Sequence, residues 1–497
     1  MGSITTTASL GLRVSLGALL GASLCACAPE IAGPESSGRG GKRRPDVFLV
    51  VVDTLRADHL SAYGYSEPTS PTLERLASEG ALLEDVTAQC SWTKPSVVSL
   101  MSGRYITTYR DTFEESATTL AESFSRAGYR TIGVVANVLL SGREGFGRGF
   151  DHYDASRVED HRAKGRGPCR TLDELLADLW GPLDEALAVP EGHERPPLFV
   201  CLHIMEPHNP YVYRKPLREL LQKKNSPAYD PDGWFAESIA AAGLEPPEED
   251  AAWEKAWGRI RSLRYHYDHE IRYTDDGLAR LLEGLEQREL LSDAVLAVAA
   301  DHGESLWEHP TLRKPAGKGA TGPGDYFHQE HGVFLYQGLI GTPLVLWGQG
   351  VPAGIRVGDA VENIDLYPTL MELADIAPPE ELHGQSLLPL ISGGTWTKQT
   401  VHSYVLQEAC VREVATGLKL SVPTEIGVDQ GAQPSLYDLG RDPAEQHNLF
   451  AERPGDVQRL LRIMEEWRTR YPMVSSNEEL KDRQTLEDLK ALGYAGD

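Results

Sequence analysis

Apolar residues follow two rhythms along this chain. Residues 47–52 form an unbroken apolar, mostly β-branched run stopped by Asp53, the pattern of a central strand buried on both faces. Residues 198–202, 294–300 and 343–346 repeat it, each bordered by polar positions. Between these runs, Leu73 and Leu76, Leu120 and Phe124, and Ile271, Leu278, Leu281, Leu282 and Leu285 fall at helical spacing. Strands alternating with helices predict an α/β sheet covered by helices on both faces. In such folds functional groups gather at the carboxyl edge of the strands. Three of the runs end there in chemistry: Val52 in Asp53, Leu202 in the segment from His203 to His208, and Ala300 in Asp301-His302.

The ends of the chain have a different pattern. Residues 1–27 carry one basic residue, Arg13, then an apolar stretch over 14–24 that is short for a bilayer span, and read as a signal peptide. Leu24-Cys25-Ala26-Cys27 resembles a bacterial lipobox, which makes Cys27, with Cys25 as the alternative, a lipid acceptor. The protein is then expected in a bacterial cell envelope, tethered by lipid and facing the periplasm or exterior. Residues 28–45 are rich in Gly, Pro, Ser and Arg and suit a flexible linker. Residues 46–396 read as the core. Stretches near 155–195 and 212–262, rich in charge, Pro and Gly, are expected to be surface insertions. Residues 397–497 read as a smaller C-terminal subdomain with a short sheet and a helix over 456–470.

Charge narrows the partners. Lys and Arg number 48 against 73 Asp and Glu, a formal charge of −25, which repels polyanions and excludes nucleic acid as a natural partner. An acidic surface can still surround a cationic metal centre. The cysteines beyond the leader, Cys90, Cys169, Cys201 and Cys410, have neither disulfide-framework nor zinc-finger spacing, and Cys201 reads as a buried thiol.

The chemistry begins with Asp53 and Asp301-His302, because two carboxylates and an imidazole at strand ends are suitable ligands for a divalent cation. Longer segments add to this. Asp53-Thr54-Leu55-Arg56-Ala57-Asp58-His59-Leu60 with Tyr63-Gly64 resembles the first metal-binding motif of the sulfatases. Ser91-Trp92-Thr93-Lys94-Pro95-Ser96, ending in Met101-Ser102-Gly103-Arg104, resembles their nucleophile motif. The segment from His203 to Tyr211 is similar to their substrate-side histidine segment. Asp301-His302-Gly303-Glu304, His331-Gly332 and Ser435-Leu436-Tyr437-Asp438-Leu439 follow in the family's order. The resemblance implies an alkaline-phosphatase/sulfatase-like fold, a mixed, mostly parallel central sheet flanked by helices, and a metal-dependent ester hydrolase.

The departures from that pattern matter. Sulfatases place a cysteine or serine, oxidised to formylglycine, where counting back from Gly103 puts Thr93, which cannot be so converted. The arginine of the same signature falls on Val97, and Lys94 is the candidate replacement cation. A threonine hydroxyl at a divalent ion can itself act as nucleophile; its simpler role is as the cap of the helix leading into Pro95. The implied metal set is Asp53, Asp301, His302 and the Thr93 oxygen. Thr54 stands where many relatives have a further carboxylate, so the ion is calcium, zinc or manganese. Glu206, His208, His309 and His331 are either a second metal site or hydrogen-bonding and proton-transfer groups; we read one metal, with His208 on the substrate and His331 as acid for the leaving group. Asn137 falls near a Lys-x-His pair of the family, and the Gly- and Lys-rich stretch 310–327 reads as a loop. The expected substrate is a sulfated or phosphorylated small molecule, glycan or lipid. The alternatives are a phosphodiesterase or phosphotransferase acting on envelope lipids or glycans, and a catalytically silent binding lipoprotein.

Overall fold

A computed structural model describes residues 43–105, 113–114, 116–142, 145–156, 170–212, 214, 217, 221, 251–310 and 327–472. The signal, the two candidate lipid-acceptor cysteines, most of the linker and Cys169 lie outside them. Among the described residues no helix is long and apolar enough to cross a membrane.

The main sheet has eight strands: β1 (Asp46–Val52), β2 (Ala81–Thr87), β3 (Arg130–Val135), β4 (His152–Asp154), β5 (Leu198–Ile204), β6 (Ala294–Ala300) and, after the pair β7 (Ser305–Pro310) and β8 (Phe327–Glu330), β9 (Gly341–Gly348) and β10 (Ile355–Glu362). Their order is β10-β2-β9-β6-β1-β5-β3-β4. All neighbours are parallel except around β9, which runs antiparallel to both β6 and β2. The sheet is therefore mixed and mostly parallel, as the family resemblance implies.

Strand β1 shows why its run is apolar throughout. Phe48, Val50 and Val52 join one buried cluster with Leu73, Leu175, Leu278 and Leu281, while Val47, Leu49 and Val51 join another with Val98, Leu120, Phe124 and Leu370. Alternate side chains thus feed two helical layers. The first layer contains α1 (Pro71–Glu79) and the second contains α2 (Thr93–Ser102) and α3 (Leu120–Arg126). Further along, α4 (Leu172–Leu187) and α5 (Ala251–Glu286) complete the first layer.

Helix α4 corrects one expectation. Residues 172–187 of the stretch 155–195 are not a surface insertion: Leu172, Leu175, Leu176, Leu179 and Leu183 are buried in the core. A capping box starts it, Thr171 Oγ1 accepting from Glu174 N while the Glu174 carboxylate accepts from Thr171 N. The charged residues between the leucines lie on the outer face and obscure the core stripe. Of the stretch 212–262, residues 213, 215–216, 218–220 and 222–250 lie outside the described residues, and α5 occupies the rest from Ala251 on.

Beyond Thr397, β11 (Thr400–Tyr404), β12 (Glu408–Glu413), β13 (Leu418–Pro423) and β14 (Ser435–Asp438) form an antiparallel sheet. Helix Pro454–Arg470 covers it through Val457, Leu460 and Met464. This unit grips the segment just after His331. The Glu408 carboxylate accepts from Leu335 N, Glu445 accepts from Gln337 N, and Lys419 Nζ donates to Leu335 O at 2.5 Å and pairs with Glu445 at 2.8 Å. Lys419 and Glu445 are 1% and 3% exposed, so Lys419→Met strands a buried carboxylate and should cost about 3–5 kcal/mol in chemical denaturation.

Candidate active site

Strands β1, β5 and β6 lie side by side, with Val51 opposite His203 and Val52 opposite both Ile204 and Ala300. Their ends therefore deliver Asp53, His203 and Asp301 to one place. All three are buried, and the Asp–His–Asp group offers one ligand-type atom each, all within 4.8 Å of one another. Asp301 Oδ1 accepts from Thr54 N at 3.3 Å and His302 N at 2.8 Å, which leaves Oδ2 to the imidazoles: His203 Nε2 at 3.5 Å and His302 Nε2 at 3.7 Å. Asn137 Nδ2 donates to Asp53 Oδ2 at 2.8 Å. Thr54 has a φ of 54°, the left-handed turn that carries the chain away from Asp53.

Thr93 meets this cluster from the next helix. It is the first residue of α2, and Trp92 rather than Thr93 is the cap. Its Oγ1 lies 3.4 and 3.5 Å from the Asp53 oxygens and 3.3 Å from His302 Nε2. Helix α2 is buried along its whole length, so its N-terminal dipole acts at Thr93 with little screening by water. Ser96 Oγ ties the same helix to Asp301 O at 2.5 Å.

The histidines are held in defined tautomers. His302 Nδ1 lies 2.8 Å from Gly303 O and His208 Nδ1 lies 2.6 Å from Asn209 O. A carbonyl only accepts, so both Nδ1 atoms carry the proton and Nε2 keeps its lone pair. Burial pushes His302 and His331 down to about 3, and lowers His203 and His208 as well. The acids move the other way. Burial raises Asp53 and Asp301, with mutual repulsion adding to the rise at Asp53, and burial raises Glu304 to about 7. His331 Nδ1 sits 3.0 Å from Glu304 Oε1, and the His331 ring lies 4.6 Å from His302 and 5.1 Å from His208.

These residues fit a divalent ion. Asp301 Oδ2 and both ring nitrogens of His203 are buried without a hydrogen-bond partner, and two neighbouring buried carboxylates are a pair that a cation would neutralise. Asp53, Asp301 and His302 come together with Thr93 as the sequence suggests. His203 joins them, although the sequence marks it only as the start of a histidine segment. The missed signal is its place at the end of β5, in register with the end of β1.

Two of the four residues considered for a second metal site are elsewhere. Glu206 turns away, accepting from Leu172 N at 3.2 Å and facing Arg214 at 3.6 Å. His309 stacks on Tyr336, ring to ring at 3.6 Å. Lys94 is buried as the second residue of α2, Val97 packs into the core, and residues 311–326 lie outside the described residues. Arg56, inside the first motif, is committed to Asp58, Glu308 and Glu304 O.

The family model described as sulfatase matches residues 45–376, more than half of the chain. The chain belongs to the sulfatase family. A second family model, N-sulphoglucosamine sulphohydrolase, C-terminal, matches residues 326–469. Arylsulfatase K of Mus musculus is 29% identical over 204 residues, 39% of this chain and 34% of that protein, so this match spans about a third of the relative's length. Iduronate 2-sulfatase of Homo sapiens is 27% identical over 417 residues, 70% of this chain and 72% of that protein. The crystal structure of the phosphonate monoester hydrolase of Agrobacterium radiobacter superposes with a TM-score of 0.63 at 20% identity, covering 87% of this chain and 96% of that one. That likeness confirms the sheet and its flanking helices.

Within this sulfatase-family site, Asn137 holds Asp53 rather than facing open space. Its Oδ1 also caps the next turn by accepting from Leu139 N at 3.0 Å. Asn137→Ala should reduce metal affinity by about 10–100-fold through misorientation of Asp53, measured by chelator competition.

Proposed function

We propose that this protein hydrolyses a sulfuric or phosphoric ester with Thr93 as the nucleophile at a single divalent-metal centre held by Asp53, Asp301 and His302, together with His203. The observation that carries the reading is the position of Thr93 Oγ1, 3.3 to 3.5 Å from His302 and Asp53 at the start of α2. When bound, the ion supplies positive charge that polarises the ester and favours loss of the hydroxyl proton.

Thr93 Oγ attacks the central sulfur or phosphorus as the bond to the leaving oxygen breaks, and the group passes to threonine as a sulfo- or phosphoester. Water then cleaves that ester and frees the hydroxyl. The α2 N-terminus faces the charge that develops at Thr93. His331 is the candidate donor to the leaving oxygen: when Glu304, raised to about 7, holds a proton, His331 Nδ1 accepts from it and Nε2 carries the transferable hydrogen, while His208 beside it is the candidate substrate contact. Thr93 cannot provide the carbonyl chemistry of formylglycine, so release of the group depends on attack by water.

The site favours an ester with a single negative charge. Asp53, Asp301 and Glu304 crowd it with carboxylates, while Arg56 is engaged elsewhere. Sulfate monoesters and phosphodiesters carry one charge on the reacting group, whereas a phosphate monoester carries up to two. By analogy with the named activities of the relatives, a sulfated glycan or small molecule is the first substrate to try. The lipid anchor and envelope location rest on residues 24–27 of the sequence, and mass spectrometry of the mature N-terminus tests them.

The functional test is a metal-replete assay on aryl sulfate, phosphodiester and phosphate monoester. Turnover of the first or second, exceeding that of the third, is expected. No turnover on any ester would favour the silent binding lipoprotein instead.

A further inference from the structure

Among the Asp53, His203 and Asp301 donors, the imidazole is the one that distinguishes between metal ions. We infer that this centre takes a first-row transition ion of the zinc, manganese and cobalt class, and that His203 selects it over calcium as a protein ligand beside the two aspartates. This rests on the metal-centre reading above and goes further, to the class of ion and the residue that sets it.

Three observations support it. His203 is the last residue but one of β5, directly beside β1 with Val51 as its register partner, so the strand pairing itself fixes the ring near the edge where Asp53 emerges. The ring is 2% exposed and neither nitrogen makes a hydrogen bond. A buried polar group without a hydrogen-bond partner is destabilising, a cost that ligation would remove. Nε2 also lies 3.5 Å from Asp301 Oδ2 and 3.9 Å from Asp53 Oδ2, the two carboxylates that an ion would share.

Donor chemistry then separates the ions. Calcium takes six to eight oxygen ligands in a loose shell. Here two imidazoles, His203 and His302, take places in the cluster that oxygens would need for calcium. Imidazole nitrogen suits zinc and its first-row neighbours, which accept lower coordination numbers. The carboxylates alone would leave the choice open, and His203 decides it.

The test reads metal binding without substrate. The full chain, stripped by chelator, is titrated separately with calcium, manganese and zinc, and with cobalt followed by visible absorption. Wild type should bind one equivalent of zinc or cobalt at least about 100-fold more tightly than calcium. In His203→Ala the zinc and cobalt affinities should fall by at least about 10-fold, with calcium affinity within about threefold of wild type. Equal affinity for zinc and calcium in the wild type, or unchanged zinc affinity in the variant, overturns the inference. His203→Gln serves if the alanine variant does not fold. If neither folds, pulsed EPR of the manganese-loaded wild type counts imidazoles directly: two are expected, and one or none contradicts the inference. A chain that binds zinc through His203 but turns over no ester would refute the proposed function alone. Ester turnover supported by calcium and not by zinc would refute only this inference.

Discussion

Thr93→Ala should lower kcat/KM by at least about 10³-fold on any ester the protein accepts, with metal content unchanged. The size follows from what is lost. The alanine variant keeps Asp53, Asp301, His203 and His302, so binding and polarisation of the ester persist, but no oxygen remains at the start of α2 to form the covalent intermediate. Thr93→Ser restores the hydroxyl without the methyl group and should recover most of the rate. Both variants should melt close to wild type, because Thr93 is the first residue of α2 rather than its cap and each substitution removes only one or two heavy atoms. Steady-state kinetics with metal analysis of the same samples checks this. Alanine activity within tenfold of wild type would remove Thr93 from the chemistry.

The second large effect belongs to Asp301. Its Oδ1 receives two backbone N–H groups, from Thr54 and His302, and its Oδ2 faces the imidazoles of His203 and His302. Asp301→Asn keeps the shape but removes the charge and directs either an amide N–H₂ or a weaker oxygen at the ion. Metal affinity should drop by at least about 100-fold, and activity at limiting metal should fall with it. Elemental analysis after dialysis gives the first quantity and a metal-dependence curve the second. Retention of one equivalent of ion with normal turnover would place the centre elsewhere.

The sequence revealed the site in the places where an apolar run stops at a reactive residue. Asp53 and Asp301-His302 stand out because β1 and β6 are buried on both faces, so the first polar side chain after each run must lie at the sheet edge. His203 was hidden by the same rule. It lies within β5 and follows Leu198, Phe199, Val200, Cys201 and Leu202 only as the first of several polar groups, so nothing local marks it above His208. Strand order decides between them, and order is a long-range property. Helix α4 is obscured because Asp173, Glu174, Asp178, Asp184 and Glu185 are interspersed among the leucines that carry the packing. Glu206 and His309 show the converse: each has the right chemistry beside the right motif, yet one is taken up by Leu172 and Arg214 and the other by Tyr336. Pairing partners of this kind lie far away in the chain and leave no trace in local spacing.

The most direct measurement is acid-quenched peptide mapping of the metal-loaded protein caught during turnover of an ester. The account predicts a sulfo- or phospho-threonine at Thr93, present in wild type, absent without metal and absent in Thr93→Ala. Turnover with no adduct at Thr93, or with one on Cys90 or Ser91 instead, would contradict it.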